Sequence, residues 1–290
     1  MIKIAVASGK GGTGKTLVAT NIFYTLLRNK ADALLIDCDA EAPNAVAFFN
    51  VSQGNETEVT RMVPVIDTNK CTFCGKCHDY CNYKAIFIIP PFKIIRVFEE
   101  LCHGCGACSV ACMDDAITEK PVSQGRVTSF NIDERQAIIE SRINVGVMSP
   151  VPVIQAAIKL ANQNHDIIIL DSPPGTSCPF IQTVSTADYV ILVTEPTPFG
   201  LSDLKQSVDT LKSIKKPYGV IINRAGLGND SVQNYLKDND IELLLEIPFS
   251  REIAEFYSTG GIVSEKIPAL GDRLFQMITK IISLNGNSSN

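Results

Sequence analysis

No stretch of this 290-residue chain approaches the roughly 20 consecutive apolar residues that a membrane-spanning helix needs. The opening MIKIAVAS is too short for the apolar core of a secretory signal, and no cleavage site follows it. Basic charge is also scarce. The 26 Lys and Arg residues stand against 31 Asp and Glu, a formal net charge of −5, whereas nucleic-acid-binding surfaces are basic. The C-terminal LGDRLFQMITKIISL is amphipathic but carries only Arg273 and Lys280, too little basic charge for a surface anchor. The expectation is a cytoplasmic protein with no stable membrane anchor and no nucleic-acid partner. Its cysteines would be reduced, and so available to metal rather than to disulfides.

What is present is a rhythm of short apolar runs: IKIAVAS, ALLIDCD (33–39), DIIILD (166–171), YVILVTE (189–195), YGVIIN (218–223) and IELLLEI (241–247). Each is followed by turn residues and a helix-like segment. From Thr16, the text TLVATNIFYTLLRN sets Leu17, Ile22, Leu26 and Leu27 on a helical period. Strands that are apolar on both faces and alternate with helices predict an α/β fold, a mostly parallel sheet with helices on both faces. Residues 61–120 break the rhythm and read as a small insertion in a loop of the larger domain, leaving 1–60 and 121–290 as a discontinuous whole.

The strongest local signal is SGKGGTGKT at residues 8–16. Its Gly9, Gly11, Gly12, Thr13, Gly14, Lys15 and Thr16 fit a phosphate-binding loop that follows a strand and opens a helix. Backbone N–H groups would meet the phosphates, Lys15 the β- and γ-phosphates, and the Thr16 hydroxyl a Mg²⁺ ion. Asp37 and Asp39 fall at the end of one predicted strand and Asp171 at the end of another, where ligands bind in parallel sheets. Asp37 and Asp171 can hold Mg²⁺ through its waters. Asp39 either orients an attacking water or caps a helix. Pro173, Pro174 and Gly175 make a rigid turn after Asp171. Asn223-Arg224-Ala225-Gly226 has glycine where a guanine-reading motif has aspartate, which favours adenine and makes Asn223 a base contact; helix capping is its other reading.

GKGGTGKT together with DCDAEAPN and DSPPG resembles the MinD/ParA/Mrp class of P-loop ATPases with a deviant Walker A motif, over residues 1–55 and about 121–290. The resemblance implies a nucleotide-dependent homodimer that binds and hydrolyses ATP. It gives Lys10 a role as the signature lysine, contacting the nucleotide of the other subunit as an arginine finger does. The alternative is a solvated Lys10 beside its own nucleotide.

Eight of the ten cysteines lie between Cys71 and Cys112. CTFCGKCHDYCNYKAI (71–86) and CHGCGACSVACMDDAI (102–117) are one pattern repeated 31 residues apart. Three cysteines at this spacing can wrap one face of a cubane cluster, and the fourth points at the other cluster. One 4Fe–4S cluster is therefore expected on Cys71, Cys74, Cys77 and Cys112, and a second on Cys102, Cys105, Cys108 and Cys81. The stretch resembles a bacterial two-cluster ferredoxin, although Asn82 and Met113 stand where proline is usual after the fourth cysteine. Structural zinc would call for paired C-x₂-C motifs instead. His78 and His103 read as spacers and His165 as a loop residue. Cys38 and Cys178 lie outside the pattern; they read as thiols of the larger domain, or, for Cys178, as a cluster bridge across a dimer.

Two function classes follow from this combination. In one, ATP closes a dimer and electrons pass through the clusters to or from a redox partner. In the other, the chain is an ATP-dependent carrier or assembly factor for iron–sulfur clusters, or a scaffold for an assembly partner. A carrier would need an accessible cysteine pair in the ATPase part, and the sequence offers none. The substrate residues of a cobyrinate or dethiobiotin synthetase, a third relation of the same loop, are not recognisable.

Overall fold

The computed structural model describes residues 1–133, 135–161 and 165–286. Strand β1 (Ile2–Ala7) leads to helix α1 (Lys15–Arg28), β2 (Ala33–Asp37) and the long β3 (Ser52–Ile66). The cysteine-rich stretch holds α2 (Lys76–Asp79), β4 (Ile86–Ile89), β5 (Ile94–Val97) and α3 (Ala107–Ala111). Next come β6 (Ile117–Ile132), β7 (Arg135–Ile143), α4 (Val151–Leu160), β8 (Ile167–Asp171) and α5 (Cys178–Thr186). The chain ends with β9 (Tyr189–Thr194), α6 (Pro198–Ser213), β10 (Tyr218–Ala225), α7 (Ser231–Asp238), β11 (Leu243–Pro248), α8 (Arg251–Ser258), α9 (Val263–Lys266) and α10 (Pro268–Gly286).

These elements form two compact units. The first comprises Met1–Thr57, Val127–Arg142 and Pro150–Asn290; the second comprises Glu58–Arg126 and Ile143–Ser149. The second is wider than the 61–120 read from sequence and includes a short return at 143–149.

Among the described residues the main sheet runs in the order β11-β10-β9-β1-β8-β2-β7-β6-β3. Every strand contact from β11 to β7 is parallel. Strands β2, β8 and β9 are buried at every residue, which is why they read as unbroken apolar runs. Ile22, Phe23 and Leu26 of α1 and Leu274, Ile278 and Ile281 of α10 share one core with the sheet. The C-terminal amphipathic stripe therefore has a partner within the fold. Strands β3, β6 and β7 lie outside the runs read from sequence. β3, SQGNETEVTRMVPVI, is exposed over most of its length and has no buried face to impose an apolar pattern.

The second unit carries the sequence repeat into its backbone. Helices α2 and α3 begin at equivalent positions, after Gly75 (φ 84°) and Gly106 (φ 71°). Phe73 and Gly104 are both left-handed, as are Lys84 and Asp115. A left-handed non-glycine residue is uncommon, so three matching pairs mark one loop geometry used twice. Gly104 is needed for a further reason: a Cβ there would sit 2.9 Å from the Met62 carbonyl oxygen.

Candidate nucleotide cleft and cysteine cavities

The loop between β1 and α1 opens a cleft of about 420 Å³ in the first unit. Gly11, Gly12, Gly14, Lys15 and Thr16 line it, together with Asp39, Pro174, Asn223 and Arg224. The first turn of α1 points its backbone N–H groups into this space because Gly14, left-handed at φ 96°, turns the chain directly into the helix. Gly9 and Thr13 do not line the cleft. Gly9 packs on α6, where a Cβ would stand 2.4 Å from the Asp203 carbonyl oxygen. Thr13 is buried and its carbonyl accepts a 2.8 Å hydrogen bond from Asn223 Nδ2.

That bond changes the reading of Asn223. Its Oδ1 accepts from the Arg224 backbone N–H at 2.9 Å, so both ends of the amide brace protein rather than a base. A Cβ on Gly14 would stand 2.3 Å from Asn223 Nδ2, which makes glycine obligatory at the point where this brace meets the loop. The far wall, Pro248, Phe249, Ile253, Ala254 and Tyr257, is apolar and aromatic, a surface suited to the flat face of a base. Sequence reading missed this wall because its members come from β11 and α8, far along the chain from the loop.

Asp37 and Asp171 are paired across β2 and β8 at the ends of those strands. Asp37 accepts backbone N–H bonds from Asp39 (3.1 Å), Asn44 (2.8 Å) and Ala45 (2.9 Å), so it fastens the turn that carries Asp39. Burial, and then the charge of Asp171, still push its carboxyl well above the usual range. Asp171 is fully buried and neither carboxylate oxygen has a partner at hydrogen-bond distance. Burial lifts its pKa to about 6, with the nearby Thr16 hydroxyl and Lys15 ammonium opposing the rise. An orphaned buried carboxylate beside Thr16 fits a site for a hydrated Mg²⁺. Asp39, half-buried, is also raised by burial, with Lys15 pulling it down. Gly175, at φ 91°, donates to the Ser8 carbonyl at 3.0 Å and ties the Pro173-Pro174-Gly175 turn to the start of the phosphate loop.

Lys10 does not line the cleft. Its Nζ lies 4.0 Å from Glu195 Oε2, and the other oxygen of Glu195 pairs with Arg224. Glu195, only 8 % exposed at the end of β9, thus holds both cations. Nothing in the sequence around Glu195 signalled this, because its partners lie in two distant loops.

Two narrow cavities occupy the second unit. Cys71, Cys74, Cys77 and Cys112 line the first; Cys81, Cys102, Cys105 and Cys108 line the second. Among the described residues no three His, Cys, Asp or Glu side chains converge closely enough for one metal ion. Four thiols spread around a cavity suit a polynuclear cluster, in which each thiolate has its own iron, better than tetrahedral zinc, which gathers its ligands about 2.3 Å from one point. Backbone N–H groups are aimed at the sulfurs: Phe73 to Cys71 Sγ (3.4 Å), Gly104 to Cys102 Sγ (3.4 Å) and Ala85 to Cys81 Sγ (3.3 Å). Such bonds favour the thiolate. Burial otherwise pushes Cys77 up to about 11 and also raises Cys108, so these thiols ionise at neutral pH only with a metal present. Cys38 is buried and Cys178 exposed. No helix among the described residues is long and apolar enough to cross a membrane.

With this geometry in view, the sequence profile of the CobQ/CobB/MinD/ParA nucleotide binding domain matches residues 4–263. The chain belongs to that family. Within the CobQ/CobB/MinD/ParA family it is 32 % identical over 265 residues to the uncharacterized protein MJ0579 of Methanocaldococcus jannaschii, covering 90 % of each chain. It is 24 % identical over 274 residues to the iron-sulfur cluster carrier protein of Pseudomonas fragi, covering 89 % of this chain and 76 % of that one. The septum site-determining protein MinD of Pyrococcus horikoshii, solved with Mg-ADP, superposes with a TM-score of 0.59 over 100 % of this chain and 99 % of its own, at 18 % identity. That likeness concerns the fold: an α/β P-loop architecture with a mostly parallel sheet.

Proposed function

We propose that this protein is a nucleotide-dependent dimeric ATPase switch that couples its ATP state to electron transfer through two 4Fe–4S clusters in a ferredoxin-like insertion. The observation that carries the reading is the pairing, in one chain, of a phosphate-loop cleft in one compact unit with two four-cysteine cavities in the other.

In this reading Lys15 and the N–H groups of Gly11, Gly12 and Gly14 bind the phosphates of ATP. Thr16, Asp37 and Asp171 hold hydrated Mg²⁺, Asp39 positions the attacking water, and Asn223 keeps the loop rigid. Lys10 leaves Glu195 and reaches the nucleotide of the partner subunit, so that hydrolysis waits on dimer formation. The clusters, when bound, supply one-electron storage; the eight cysteines hold them and the surrounding apolar residues limit water. Equilibrium coupling is reciprocal: if ATP shifts a cluster potential, reduction shifts ATP affinity by the same factor.

The relatives named iron-sulfur cluster carrier proteins favour a second reading, an ATP-dependent carrier or assembly factor. Against it, the first unit offers one buried and one exposed cysteine, Cys38 and Cys178, in place of an accessible pair. An anaerobic redox titration followed by electron paramagnetic resonance, with and without Mg-ATP, separates the two. A shift of about 60 mV in a one-electron couple is about 1.4 kcal/mol of coupling and is the expected result. Two clusters with unmoved potentials favour the carrier or scaffold, and an absence of clusters overturns both.

A further inference from the structure

The 31-residue repeat makes Thr72 the counterpart of His103 and Asp114 the counterpart of Tyr83. All four are exposed, and each pair lines its own cysteine cavity. The chemistry of the two pairs is opposite. In the first cavity the Thr72 hydroxyl donates to Asp114 Oδ2 at 2.7 Å. In the second the rings of Tyr83 and His103 stack, with centroids 3.7 Å apart and planes 10° from parallel. The rest of the frame repeats: Cys74 and Cys105 are both exposed, Cys77 and Cys108 both lie on the short helices, and the left-handed turns coincide.

Resting on the reading that each cavity holds a cluster, we infer that these two pairs make the clusters unequal in their access to water, with Tyr83 and His103 as the positioning residues that keep the second one dry. A hydroxyl and a carboxylate leave lone pairs free to hold water at the cavity wall. Two stacked rings present apolar faces to each other and hold no water between them. Because the frames otherwise match, the wall pair is the difference that water meets. The consequence is a division of labour inside the second unit: a hydrated cluster behind Thr72 and Asp114, and a shielded one behind Tyr83 and His103.

The test uses the full chain, reconstituted anaerobically, exchanged into D₂O and reduced, with exchangeable deuterons near each cluster read by pulsed electron paramagnetic resonance. Cys112→Ser and Cys81→Ser assign the signals to the two cavities. In the wild type the cluster of the Cys71 group should show deuteron coupling and that of the Cys102 group should lack it. Tyr83→Asp with His103→Thr should bring the coupling to the second cluster. Thr72→His with Asp114→Tyr should remove it from the first. Equal coupling at both clusters of the wild-type chain overturns the inference without any wall variant, as does a coupling that neither double substitution moves. A wild-type chain that assembles no cluster instead overturns the functional reading beneath it, which is a different result in the same spectrum.

Discussion

Asp37 and Asp171 face each other across neighbouring parallel strands, one tied down by three backbone N–H groups and the other without a partner for either oxygen. Two buried carboxylates this close resist joint ionisation. Asp171 titrates near 6 in the fold against an ordinary 3.8. A carboxyl whose pKa is raised on folding favours the folded chain while protonated, and that benefit is lost as pH rises through the folded value. Between pH 4 and 6 the metal-free protein should therefore lose stability relative to Asp171→Asn, by at most about 1.4 kcal/mol per pH unit. Mg-nucleotide should reverse the trend and release protons below pH 6. Paired thermal melts of the two proteins across this range check it, and a difference flat with pH contradicts it.

Lys10 and Lys15, five residues apart, stand in different surroundings: Lys15 lines the cleft, while Lys10 is held at Glu195. Lys15→Ala should abolish ATP binding. Lys10→Ala should leave monomer binding intact and remove the dimer-dependent part of turnover. Glu195→Gln frees Lys10, and dimer-dependent turnover should rise by at most about fivefold, because partly exposed ion pairs contribute about 0.2–1 kcal/mol. Steady-state hydrolysis at several protein concentrations reads all three. An unchanged rate in Lys10→Ala would refute its action across the dimer.

The bond from Asn223 to the Thr13 carbonyl spans 210 residues of chain. Asn223→Ala removes it and leaves a buried acceptor unpaired, at a cost of about 1–3 kcal/mol. Nucleotide affinity should fall by about tenfold without a change in base preference. Competition between ATP and GTP measures this, and a selective loss of ATP binding would return Asn223 to the base.

Cys112 belongs to the second half of the cysteine repeat but lines the cavity of the first. Cys112→Ser should therefore disturb the cluster of Cys71, Cys74 and Cys77 and spare the other, with iron content falling by about half. Cys81→Ser should do the converse. Iron analysis and cluster-specific spectra distinguish this from loss within each variant's own half.

Much of this arrangement was legible in the sequence because it is set locally. The phosphate loop is a contiguous strand–turn–helix signal, and the cysteine spacing already separates the thiols into the two groups found around the two cavities. Runs such as ALLID and IIILD are apolar because both faces of their strands are covered. Strand β3 was not legible because most of its side chains are exposed and polar. Nor was the Asn223 brace, the Glu195 clamp or the apolar wall of the cleft, since each depends on residues that meet only after the sheet is ordered.

The exchange of cysteines has a consequence for how such a unit can arise and assemble. Each half contributes three walls' worth of sulfur to its own chamber and lends its last cysteine to the neighbour's. A lone half is thus an open vessel, incomplete at the point where its twin would close it. Two identical halves, each lending that residue to the other, would already be self-complementary. The linked pair in this chain is the geometry of such a handshake made permanent by a peptide connection, and neither hand can close without the other.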